Sequence, residues 1–385
     1  MSRDGSNVRI DAQFIQVKDQ SHLWAHHYDR ELHGMLALQA EIAQEIADEI
    51  ELTLGSQKPQ ASVHQAVPSP SAYQAYDLYL RGLYFWNLRT VEGFRQAINY
   101  FEQAAEKDPN YARPYAGVAG AYALMGGYSG VPEPAFMAKA RAAAQRALNL
   151  DDTLPEAHTA LGLIVQNYDH DWQAAEKEFR RAIELNPNYS TAHHWYAEHL
   201  VLRGRFDEGF AEIERARQLD PLSLIIVADK GAFLYYSRQY DRSIEQLRGV
   251  LEMDPNFSRA HMITLPYIQK GMFPEALAVN ARQPEYSPYY WSVWGEIEAR
   301  SGHVQEALRA VKHLTDLDRR QQVDAGCFVV LYLSMGREDQ AFAWLEKSYA
   351  QHSNIMSTLK VDPRFDPLRS DPRFQELLRR VGLAP

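Results

Sequence analysis

The chain has 385 residues, a formal net charge of −10 and one cysteine. A lone cysteine excludes an internal disulfide framework and a multi-cysteine metal site. Basic residues scattered over an acidic chain argue against a nucleic-acid surface.

Residues 1–54 read as a unit of their own. Positions 8–17 alternate apolar and polar residues, with Val8, Ile10, Ala12 and Phe14 on one face, as a half-buried strand requires. Lys18-Asp19-Gln20-Ser21 reads as a turn, and His22 to Arg30 as a second strand. From Met35 to Leu54, Leu38, Ile42, Ala43, Ile46, Ile50 and Leu54 recur at helical spacing, which predicts an amphipathic helix. Two strands and a helix are too little for an independent domain. The hairpin would leave one edge unpaired, so self-association through that edge is an expectation. Residues 55–71 contain three prolines and no periodicity, and read as a linker.

From Ala72 to about 350 the pattern is repetitive. Pro187, Pro221 and Pro255 are spaced 34 residues apart, each behind Asn186, Asp220 or Asp254. Asn186-Pro187-Asn188-Tyr189 and Asp254-Pro255-Asn256-Phe257 share a signature with Asp108-Pro109-Asn110-Tyr111 upstream. Proline lacks an N–H and biases the residue before it away from helical angles, so it can close the second helix of each unit. Within one period the small residues Ala197, Gly209 and Ala216 mark close helix approach. Leu200 and Ile213 fill the space between, and Gly204 marks the end of the first helix. The next unit repeats this with Gly231, Leu234, Leu247 and Val250. Eight helix pairs are expected. The second has an enlarged turn at Met125-Gly126-Gly127-Tyr128-Ser129-Gly130-Val131-Pro132, and the sixth is distorted by Pro284 and Pro288. Residues 351–385 hold a doublet, Asp362-Pro363-Arg364-Phe365 and Asp371-Pro372-Arg373-Phe374. They read as a cap lying over the last pair, which a solenoid needs.

This period and signature resemble the tetratricopeptide repeat (TPR) family over roughly three-quarters of the chain. The resemblance implies a mostly α fold, a right-handed α-solenoid of about eight TPR helix pairs with a small partial α/β segment in front. Ser2-Arg3-Asp4-Gly5, Leu23-Trp24-Ala25 and Tyr28-Asp29-Arg30 resemble the last third of the TolB-like domain. That domain precedes such arrays in bacterial adenylate cyclases, kinases and winged-helix transcription regulators. Two expectations follow: the chain is the C-terminal portion of a longer architecture, or it stems from an internal or misassigned start.

Candidate chemistry is sparse. His193, His194 and His199 with Glu198 invite a zinc reading, but His194 and His199 are five apart and lie on different helix faces. His26 and His27 alternate sides of a strand. No phosphate loop or nucleophile elbow is present, so no catalytic residue, cofactor or metal is assigned. The functional surface expected is the concave face built by the first helices, on which the repeat frame places Arg113, Thr159, Gln166, Asn167, His194, Glu198, Tyr235, Tyr236, Glu296 and Arg300. Mixed polar and aromatic groups there suit a peptide or protein partner. Chaperone-binding relatives grip a terminal carboxylate with a lysine/asparagine/arginine clamp, and that constellation is not found here. The function expected is a non-catalytic interaction scaffold. The alternative is the regulatory part of a bacterial signalling protein whose output domain lies upstream. No apolar run approaches the roughly 18 residues of a membrane span and no secretory pattern follows Met1, so a cytoplasmic location is expected.

Overall fold

The computed structural model describes residues 2–4, 7–15, 22–31, 70–130 and 134–384. The first three segments are strands β1 (Ser2–Asp4), β2 (Asn7–Ile15) and β3 (His22–Glu31) of an antiparallel sheet in that order, with Arg3 opposite Val8 and Ile10 opposite Tyr28. The helix expected from Met35 to Leu54 lies outside the described residues.

The rest is helical. Pro70, from the end of the expected linker, opens α1 (Pro70–Asn87), which pairs with α2 (Val91–Lys107). The pairs that follow are α3 (Ala112–Ser129) with α4 (Pro134–Leu150), α5 (Pro155–Ile164) with α6 (Trp172–Leu185), and α7 (Ser190–Leu202) with α8 (Phe206–Leu219). Next come α9 (Leu224–Tyr236) with α10 (Tyr240–Met253), and the short α11 (Thr264–Gln269) with α12 (Phe273–Asn280). The last are α13 (Pro288–Arg300) with α14 (Val304–Asp318) and α15 (Gly326–Ser334) with α16 (Glu338–Ala350). First helices stack on first helices along the array: α1 on α3, α3 on α5, α5 on α7, α7 on α9, and α13 on α15. This is a helical solenoid. Among the described residues, no helix is long and apolar enough to cross a membrane.

The local causes are legible. A Cβ on Gly231 would lie 2.6 Å from Leu247 Cγ, and one on Gly209 2.6 Å from Val201 Cγ2. These glycines let paired helices approach. Each pair also has one residue with positive φ after its first helix. Five are glycines: Gly130, Gly204, Gly271, Gly302 and Gly336. The other three are Arg89 (φ 52°), His170 (φ 56°) and Arg238 (φ 62°), where a side chain makes that conformation costly.

Three departures have physical reasons. Gly126 and Gly127 are not in a turn: α3 runs through them to Ser129, and the left-handed residue is Gly130. A Cβ on Gly127 would sit 2.9 Å from the Asn354 side chain, so bare backbone allows that approach. Helix α5 passes into a π turn over Val165–Asp169, and the sixth unit begins with a 3-10 turn, Ser258–Ile263. The doublet segment does more than lie over the last pair. It forms α17 (Ile355–Thr358), a 3-10 turn (Pro363–Leu368) and α18 (Pro372–Arg380). Met356, Leu359, Phe365, Phe374 and Val381 join one apolar core with Trp172, Phe233, Tyr235 and Ile297. Apolar side chains at this spacing leave water only by running back along the solenoid.

Replacing Gly231 by Leu is expected to destabilise by about 1–3 kcal/mol through overpacking against Leu247. Gly249→Ala, with open space around it in α10, should instead be neutral or stabilising by up to about 1 kcal/mol. Denaturant midpoints of the two variants check the contrast, and equal shifts would mean the repeat frame is displaced.

Candidate functional site

The first helices bring their side chains to an inner face, and that face is occupied by the chain itself. The Tyr235 hydroxyl donates to Asp362 at 3.0 Å, a contact between positions 127 apart. Asp362 also receives Arg364 at 2.6 Å, and Arg364 lies 3.6 Å from Glu296. Arg238 donates to the Val361 carbonyl and to Asp366, both at 2.7 Å. Farther along, Trp172 Nε1 donates to the Val381 carbonyl at 2.7 Å and His352 Nδ1 pairs with the Tyr168 carbonyl at 2.7 Å. The inner face therefore holds a segment of short helices and a 3-10 turn through both side chains and backbone.

The array also closes on itself. The Ser258 hydroxyl donates to the Arg89 carbonyl at 3.0 Å, joining the sixth unit to the first. The Asp324 amide donates to the Gly130 carbonyl at 2.9 Å, joining the eighth to the second. Trp86 and Trp195 meet with ring centroids 6.3 Å apart. Inside this closure lies a polar cluster. Asp229 Oδ2 accepts from His194 Nε2 at 2.7 Å and Oδ1 from Arg259 Nε at 2.5 Å. Burial opposes ionisation of Asp229, but Arg259 and His194 outweigh it and hold the carboxyl well below the usual range. Glu198 lies in the same field, and burial together with Asp229 pushes it up. Glu296 is likewise pushed up by burial despite Arg364.

The ten residues expected on the concave face divide sharply. Thr159, Gln166, His194, Tyr235, Tyr236 and Glu296 are buried, and so offer no free surface in this state. Their partners are internal. Thr159 donates to the Pro155 carbonyl, Gln166 holds His199 Nδ1 at 2.8 Å, and the Tyr236 ring packs on Tyr235. Asn167 and Glu198 are half-buried, and Arg113 and Arg300 are exposed. Arg113 pairs with Glu156 at 3.5 Å. That residues 351–385 pack against several of these positions was not legible from the frame.

Sequence reasoning also missed functional contacts at Arg89, His170 and Arg238. Their signal was present: each stands where other units have glycine, and each side chain turns to the closed interior or the C-terminal segment. Arg89 stacks over Trp86, His170 stacks with Tyr349 and His352, and Arg238 makes the contacts above. The histidines of α7 go to separate partners: His193 to Glu212 at 2.6 Å, His194 to Asp229 and His199 to Gln166. Cys327 is free and buried, and burial pushes its thiol up, which disfavours the thiolate. An open depression of about 400 Å³ beside α9 and α10 is lined by Lys230, Arg242 and Met253 and shares none of these inner groups.

A tetratricopeptide repeat profile matches residues 168–223. The transcriptional regulator HilA of Salmonella typhimurium is 28% identical over 167 residues, 43% of this chain and 30% of that protein. Candidate adenylate cyclase 3 of Rhizobium meliloti is 30% identical over 169 residues, 42% of this chain and 27% of that protein. The matched region thus spans less than a third of either relative. Among solved structures, a chain of the APC/C hetero-tetramer Cut9-Hcn1 superposes with a TM-score of 0.53 at 13% identity, covering 79% of this chain and 55% of that one. At that identity the likeness is one of fold. The family profile and this neighbour support a TPR solenoid.

A buried histidine and a half-buried glutamate set a pH dependence. Burial lowers His199 from 6.5 to about 4. Burial opposes ionisation of Glu176, but hydrogen bonds from Arg205, Tyr196 and Arg180 win and lower it from 4.5 to about 2. Both folded values are depressed, so the unfolded chain binds more protons and stability falls with falling pH. The His199 contribution, present above pH 6.5, should be lost between 6.5 and 4, amounting to roughly 3 kcal/mol at most. Glu176 acts in the lower window. Denaturant midpoints across pH 4–7 check this, with His199→Gln expected to flatten the upper window.

Proposed function

We propose that this TPR solenoid is a protein-interaction scaffold whose concave face binds a polypeptide segment, with residues 351–371 acting as its resident occupant. The observation that carries the reading is the grip of Tyr235, Arg238 and Glu296 on Val361, Asp362, Arg364 and Asp366. A face that satisfies the polar groups of a turn-rich segment of mixed charge from its own chain has the chemistry to hold a similar segment from another. Arg113, Asn167, Glu198 and Arg300 are the expected groove residues with accessible surface from which such a partner would gain its first hold. The scaffold reading is supported by the TPR match and the solenoid fold; the partner's identity belongs to the proposal.

The test uses the full chain and the variant Asp362→Asn/Arg364→Met. A partner captured by the wild type is purified and titrated against both proteins. Loosening the resident segment should tighten binding by about tenfold, because less of the partner's binding energy is consumed in displacement. Equal affinity would remove the concave face as the docking site, and the lack of any saturable partner would sink the scaffold reading.

A second reading follows from the relatives. HilA is a transcriptional regulator and the Rhizobium protein a candidate cyclase, and residues 1–54 resemble a domain found ahead of arrays in such proteins. In this reading the solenoid senses a partner for an upstream output domain. Mass spectrometry of the native product tests it. A larger protein carrying a winged-helix or cyclase sequence is expected, and a native product of 44.1 kDa would count against it.

A further inference from the structure

Arg89 is a buried cation with no counter-ion. It is 3% exposed, its backbone is left-handed, and its guanidinium lies 3.5 Å over the centroid of Trp86. Its Nε has no hydrogen-bond partner, and among the described residues the guanidinium makes no ion pair. Asp229 is in electrostatic reach, but its two carboxylate oxygens are already taken by Arg259 and His194. Glu198 interacts with Asp229, Arg259 and His194 rather than with Arg89. Stacking on an indole offsets only part of the cost of burying an unpaired charge. A buried group left unsatisfied this way calls for an explanation, and a bound ion is one that its chemistry fits.

The surroundings say what kind. Arg259 spends its Nε on Asp229, and its side chain keeps 29% of its accessible surface. Tyr128, half-buried and packed edge-on against Phe94, faces Arg89 and Arg259. Two guanidinium groups and a phenol, all donors, thus lie near one ionised carboxylate that already accepts from Arg259 and His194. Planar N–H forks match the oxygens of a carboxylate or a phosphate.

We propose that the closed interior beside Arg89 is a binding site for an oxyanion, a carboxylate or phosphate group held by Arg89 and Tyr128 with Arg259 behind them. The site is built by the meeting of units one, two and six, not by a row of successive first helices. It borders the expected groove residue His194 through Asp229 and Arg259, but its ligand is a small anion and its test needs no protein partner. Binding there bridges the first unit to the sixth and fixes the closure of the array.

The test is thermal unfolding of the full chain in sodium phosphate or sodium acetate against sodium chloride at matched ionic strength. Wild type should gain a saturable rise in midpoint with an oxyanion, and Arg89→Met should weaken the apparent affinity by about tenfold or more. Arg309→Met, on an exposed side chain, should keep the wild-type response. A response to phosphate alone identifies a phosphorylated ligand, and a response to acetate identifies a carboxylate. An equal rise in wild type and Arg89→Met, or no rise with either anion, overturns the site. Should Arg89→Met fail to fold, Tyr128→Phe carries the same comparison.

Discussion

A helical hairpin cannot bury its apolar stripe alone, and every larger feature of this protein follows from that constraint. Each pair covers its neighbour, so the core is a continuous seam rather than a sphere. Small residues at the pair contacts let the two helices of a unit approach, as at Gly209 under Val201 and Gly231 under Leu247. Curvature accumulates at each step until Ser258 meets Arg89 and Asp324 meets Gly130. Closure is the sum of many small rotations, and no single contact imposes it.

Closure changes what the concave face is. An open trough would present Tyr235 and Glu296 to solvent; here they face Asp362 and Arg364. Removing a carboxylate and a guanidinium from water is costly, and the cost is offset only where geometry satisfies both. Asp362 achieves this by accepting from Tyr235 and Arg364 at once and by capping the Arg364 amide at 3.0 Å. The same logic explains Asp229, whose two oxygens each have a donor. Arg89 stands out because the logic fails there.

Much of the array was legible in the chain. Asp-Pro and Asn-Pro endings, glycine at the first-helix stop and alanine or glycine at the pair contact are local devices, each acting within one unit or its neighbour. Gly204 ends α7 in the left-handed region, and Gly209 and Gly231 sit under Val201 and Leu247. Gly126 and Gly127 misled because glycine serves two ends. It ends helices, and it also lets a helix pass close to another segment, here Asn354. The concave residues were chosen by frame, which gives direction but not company, and His194 and Tyr235 proved buried.

The sequence by itself determined the unit: its length, its turns, its paired apolar faces and the side on which polar residues gather. These depend on forces that act over a few residues, and a period of 34 repeats them often enough to be read. Only the tertiary structure decided that units one and two close against units six and eight, that residues 351–385 run back along the inner face, and that Arg89 ends inside with, among the described residues, no ion pair. Those outcomes join positions more than a hundred residues apart. They depend on the accumulated angle between successive hairpins, a quantity that no short stretch of chain encodes.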